Sequence, residues 1–139
     1  MKPPFTNRPA IESLEERRLC STNSLAAHAA PVPFPSVVGV YQGSAVFLNG
    51  AVSAETLTVV KQKNGIFSGA TTQVNGANGK LVGTISRTGK VHIVDRGTRV
   101  KFLSVGSGTF ANNTFAIRFL AVQGKLRLAG TLTLSKAPN

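Results

Sequence analysis

Glu55, Asp95 and His92 are the only carboxylates and the only imidazole between residues 37 and 139. A carboxylate and a histidine that meet in a cleft can share general acid–base work. The run "KVHIVDRG" (Lys90–Gly97) speaks against such a meeting. Its alternation sets Val91 and Ile93 inward and His92 outward, with Asp95 on the face opposite His92 near a strand end. No Gly-x-Ser-x-Gly elbow, phosphate loop or paired-His motif occurs, and carboxylates are not clustered as hard cations require. No catalytic residue, metal ligand or cofactor is expected.

The abundant chemistry is cationic. Sixteen Lys and Arg stand against five Asp and Glu, giving a net charge of +11 and a pI near 11.0. Twelve of those cations and two of those acids fall in residues 37–139, so that part alone carries +10. Arg99, Lys101, Arg118, Lys125 and Arg127 are the candidate binding residues, since strands near the C-terminus that neighbour one another would project them from one outer wall. Like charges facing across strands repel by some tenths of a kcal/mol. Water or a bound polyanion relieves that, and the matching partners are an acidic polysaccharide, a nucleic acid or an anionic envelope surface. The plainer reading is a solvated face that maintains solubility. Nucleic-acid binders also display aromatic stacking platforms, and here the Phe residues are expected inside.

The elements that must carry these side chains are strands. Fourteen Gly, eight Phe, no Trp and frequent Val, Thr and Leu suit short twisted strands joined by tight turns. Asn-Gly recurs at 49–50, 64–65, 75–76 and 78–79, with further turn signals at Thr88-Gly89, Arg96-Gly97, "GSG" (Gly106–Gly108), Asn112-Asn113 and Gln123-Gly124. Strands are expected near 37–48, 55–63, 66–74, 80–87, 90–95, 98–105, 114–122 and 125–135. The last puts Leu126, Leu128, Gly130, Leu132 and Leu134 on one face. Strand 98–105 turns Val100 and Phe102 inward and Arg99 and Lys101 outward, and 114–122 turns Phe115, Ile117 and Phe119 inward and Arg118 outward. The expected fold is all-β, a single antiparallel meander closed as an eight-stranded up-and-down β-barrel, which leaves no exposed edge. A β-sandwich is the alternative.

Residues 1–36 differ in kind. They hold six of the seven prolines, and "APVPFP" (Ala30–Pro35) favours extended linker over helix or central strand. Ser13 with Glu16 fits a capping box, so a short helix is expected near 13–20 in a leader that is otherwise disordered. Cys20 is the sole cysteine, which excludes an internal disulfide. No run of about 18 apolar residues marks a transmembrane helix.

"PAIESLEERRLCS" (Pro9–Ser21) resembles the Leu-Glu-Pro-Arg type segment of exported and surface proteins of planctomycete bacteria. Glu12, Leu14, Glu15, Arg17, Leu19 and Ser21 fall on that pattern, while Glu16 stands for its Pro and Cys20 for its second Leu. The resemblance implies an exported, cell-envelope or extracellular protein. "VGVYQG" (Val38–Gly43) resembles the first strand of lipocalin and avidin-like barrels, with Tyr41 at the aromatic place and no Trp. That resemblance implies a small-ligand carrier using the barrel interior, although Phe102, Phe115, Phe119 and Leu128 are expected to fill a narrow barrel. Two functions therefore stand: a noncatalytic envelope module that grips an acidic polymer by its outer wall, and a ligand carrier.

Overall fold

A computed structural model of the protein describes residues 32–74 and 76–138. The helix expected near 13–20 and the export-type segment lie outside these residues. Pro33–Asn139 forms one compact unit.

Eight strands follow one another: β1 Gly39–Phe47, β2 Val52–Lys63, β3 Ile66–Gln73, β4 Gly79–Ile85, β5 Lys90–Gly97, β6 Leu103–Ala111, β7 Thr114–Gln123 and β8 Leu126–Lys136. Each pairs antiparallel with the next, and β8 returns to β1 through Tyr41 opposite Lys136 and Phe47 opposite Gly130. The sheet is a closed up-and-down barrel, not a sandwich. Closure pairs every strand on both sides, so no edge is left to recruit another chain.

The alternation written in the sequence sets the two faces. Along β4, Gly79, Leu81, Gly83 and Ile85 are buried while Lys80, Val82 and Thr84 are exposed, and β5 repeats the pattern with Val91, Ile93 and Asp95 inside. Asparagine supplies the left-handed backbone that tight hairpins need: Asn64 has φ 56°, and Asn112 and Asn113 have φ 52° and 59°. Three hairpins, around Asn64, Thr88 and Asn112, share one end of the barrel, here the lower end. The connections 48–51, 74–78, 98–102 and 124–125 share the upper end.

One strand departs from expectation. Residues 98–102 are a loop, closed where the Gly97 amide donates to the Phe102 carbonyl (2.9 Å), and the strand expected at 98–105 runs from Leu103 to Ala111. "GSG" is strand interior, not turn. Gly108 has its place there because the neighbouring backbone comes close: a Cβ would sit 1.9 Å from the Ala116 carbonyl oxygen. Arg99 and Lys101 accordingly leave the outer wall for the upper rim.

The lower half of the barrel is filled solid. Tyr41, Phe67, Phe110 and Phe115 interlock, with the Phe115 ring 4.8 Å from Tyr41 and 4.6 Å from Phe110 by centroids. Burying each such ring contributes about 2–3 kcal/mol. The Tyr41 hydroxyl donates to the Val37 carbonyl (3.0 Å), which satisfies its one polar atom within the core. Residues before β1 are tied to this end. Gln62 donates to the Pro35 carbonyl (2.8 Å) and accepts from the Val37 amide (2.8 Å), while Arg87 stacks 4.3 Å from the Phe34 ring centre.

Candidate functional site

The upper half of the same barrel is hollow. Its inward positions carry small side chains, Ala45 on β1, Ser53 on β2, Ser104 on β6 and Ala121 on β7, where the lower half carries aromatic rings. The registers bring these small groups together: Ala45 lies opposite Ser53, and Ser104 opposite Ala121. A cavity of about 270 Å³ results. At organic packing density it has room for about a dozen non-hydrogen atoms.

Its wall is mainly apolar, from Leu81, Ile93, Phe119, Leu128 and Leu132, with Val100 and Phe102 of the 98–102 loop beside the mouth. The rings of Phe47 and Phe119 meet edge to face at 5.6 Å. Thus Phe119 and Leu128 do point inward as expected, yet together with Phe102 they line a cavity where the sequence predicts a filled barrel. Phe115 alone of that group belongs to the solid floor.

Glu55 and Asp95 both line the cup. They are 8% and 5% exposed. Glu55 comes from the upper part of β2 and Asp95 from the upper part of β5, each at an inward position of an alternating strand. Thr71 on β3 donates its hydroxyl proton to Asp95 Oδ2 at 2.8 Å. Asp95 Oδ1 is buried with no hydrogen-bond partner. Gly79 makes room for that oxygen, since a Cβ there would lie 2.1 Å from it.

These surroundings raise both carboxyl groups above their usual range. Burial pushes Glu55 up first and the neighbouring negative charge of Asp95 second, to about 7. Asp95 is raised by burial, and the Thr71 hydrogen bond pulls the other way. No cation of the described residues offsets either group. The site is an apolar cup with two acceptors that share too few protons to be at ease when both are charged. His92 is exposed on the outer side of β5, as its parity predicts, and does not converge with Asp95.

The five candidate cations are all exposed. Arg118 stands on the outer face of β7 opposite Ser107 and Thr131, and Arg127 on that of β8 opposite Val122. Lys125 occupies the turn between β7 and β8. Lys101 lies with Val122 and Gly124 around one shallow depression, which sets the 98–102 loop beside that turn. Arg99, Lys101, Lys125 and Arg127 therefore belong to the upper end, near the cup's mouth, and Arg118 sits lower beside His92.

In the sequence Glu55 and Asp95 are only weak acid–base candidates, and nothing in their spacing shows that they share a cavity. The available signal was parity: Asp95 shares its face with Val91 and Ile93, and Glu55 shares its face with Leu57 and Val59. Among the described residues no helix is long and apolar enough to cross a membrane. No family model, curated protein or solved structure matches the chain.

Proposed function

We propose that this protein is a noncatalytic binding module that holds a small, largely apolar molecule in the upper cup of its barrel. One observation carries the reading: the cavity of about 270 Å³ lies over a solid aromatic floor and is walled by apolar side chains with two convergent polar groups. Small-molecule sites have this composition. The dye 1-naphthylamine, which is neutral at pH 8 and small enough for the cup, tests it. Dye fluorescence rises on adding the protein, and Ala121→Phe, which fills the cup, removes the rise while leaving the far-ultraviolet circular dichroism of the barrel unchanged. A rise that survives Ala121→Phe in folded protein overturns the reading.

A second reading concerns the exterior. All twelve cations of the described residues are exposed, and both acids are buried, so the outer surface is cationic throughout. This supports adhesion to an acidic polysaccharide, a nucleic acid or an anionic envelope surface, alongside the cup and not in place of it. Retention on heparin that falls steeply with salt, and exceeds that of an unrelated protein of equal charge, supports it. Elution together with that control argues against it. The exported or envelope location rests on Glu12, Leu14, Glu15, Arg17, Leu19 and Ser21, and recovery of a tagged full chain outside the cytoplasm of a planctomycete host is its test.

A further inference from the structure

The cup holds the only two acidic side chains in a unit that is otherwise entirely basic. All the cations lie outside, where water screens them, and the acids lie inside, where it does not. A fold that needed only an apolar cup would fill these two positions with leucine or valine, as the neighbouring inward positions Leu57, Leu81 and Ile93 are filled. Two buried carboxyl groups without a cationic partner raise the energy of the empty barrel.

We propose that the ligand is a protonated organic amine, whose ammonium group sits between Glu55 and Asp95 and whose apolar body fills the rest of the cup. This rests on the reading of the cup as a small-ligand site. The second observation beyond the acids themselves is Asp95 Oδ1, which is buried and unpartnered in a residue 5% exposed that lines the cavity. An ammonium group brings three donors and a positive charge, which the site lacks. It also removes the repulsion between the two carboxylates. A neutral donor can partner Asp95 Oδ1 but leaves the repulsion in place, and an anion adds to it. A bare divalent ion leaves the apolar wall uncovered and finds two carboxylates where it prefers six or more oxygens.

Among the described residues nothing else that titrates faces these groups. Beside Glu55 the neighbouring strands present Gly43 and Gln73, and beside Asp95 they present Leu81 and Ser104, with Thr71 on the third side. Tyr41 is directed to Val37 in the floor. Lys80 and Arg96 flank Asp95's level from the outer face, and Arg99 and Lys101 are exposed on the upper loop. Amine binding thus takes up a proton-free Glu55, and affinity weakens as pH falls below about 7.

The test compares three probes of nearly equal shape by isothermal titration calorimetry on the full chain at pH 8: 2-phenylethylamine, the neutral 2-phenylethanol and the anionic 3-phenylpropionate. The amine is expected to bind at least about tenfold more tightly than the alcohol, as one charge-assisted contact implies, and the anion not measurably. Glu55→Gln should cut amine affinity by about tenfold and leave the alcohol within about twofold. Equal binding of amine and alcohol, or no loss in Glu55→Gln, overturns the amine assignment while the cup reading stands. Binding of the dye 1-naphthylamine without binding of 2-phenylethylamine does the same. Failure of the dye and of all three probes overturns the cup reading and the assignment with it.

Discussion

At the scale of single residues, the buried pair makes stability depend on pH in an unusual direction. Glu55 keeps its proton in the barrel up to about pH 7, whereas in the unfolded chain it loses it near 4.5. Between those values the folded state binds more protons, so stability falls as pH rises from 4.5 and levels off above 7. The fall amounts to about 3 kcal/mol. Glu55→Gln should remove most of it, stabilising the protein at pH 8 and leaving it little changed at pH 4.5, as urea unfolding across that range will read. Asp95 is raised in the same direction, so a smaller slope remains. Thr71→Val strips the donor from Asp95 Oδ2 and should cost about 1–3 kcal/mol at pH 8, more than at low pH. The inward parity of Glu55 and Asp95 was legible in the sequence. That they share one cavity was not, because strands β2 and β5 meet only through the closure of the barrel.

At the scale of elements, two local signals decide most of the fold. Period-two alternation sets the faces, and asparagine or glycine sets the hairpins. Seven of the eight strands are readable from these signals to within about three residues. The failure at β6 has a specific cause: Gly106 and Gly108 look like a turn locally, but they serve the packing of β7, whose Ile117 side chain crowds Gly106 and whose backbone crowds Gly108. Tertiary demand there overrides local chemistry. The hairpin at Asn112-Asn113 gives the converse case, where local backbone rules. Asn113→Val forces a β-branched residue into φ 59° and should destabilise by about 1–2 kcal/mol, whereas Asn113→Gly should not, in thermal unfolding of both variants. In the floor, Phe115→Ala should cost about 3–5 kcal/mol because the surrounding rings cannot close the gap it leaves.

At the scale of the whole molecule, charge and volume are both segregated. Cations cover the outside and carboxyl groups are enclosed; aromatic rings fill the lower barrel and small side chains open the upper one. Net charge and alternation were visible in the sequence, but volume at each level depends on which strands lie opposite one another. If the upper-end cations form a docking surface, changing Arg99, Lys101, Lys125 and Arg127 together to Gln should lower the salt needed to elute the protein from heparin. The same number of changes at Lys61, Lys63, Lys90 and Lys136 should lower it less, although both variants lose equal charge. The hollow half of the barrel is the proposed seat of a small molecule. The most direct measurement is the change in backbone amide chemical shifts of isotope-labelled protein as 2-phenylethylamine is added. Shifts at Ala45, Ser53, Ser104 and Ala121, with Asn112 and Thr114 at the lower end unmoved, are the predicted result. Shifts confined to the outer wall, or none at millimolar amine together with no rise in dye fluorescence, would contradict it.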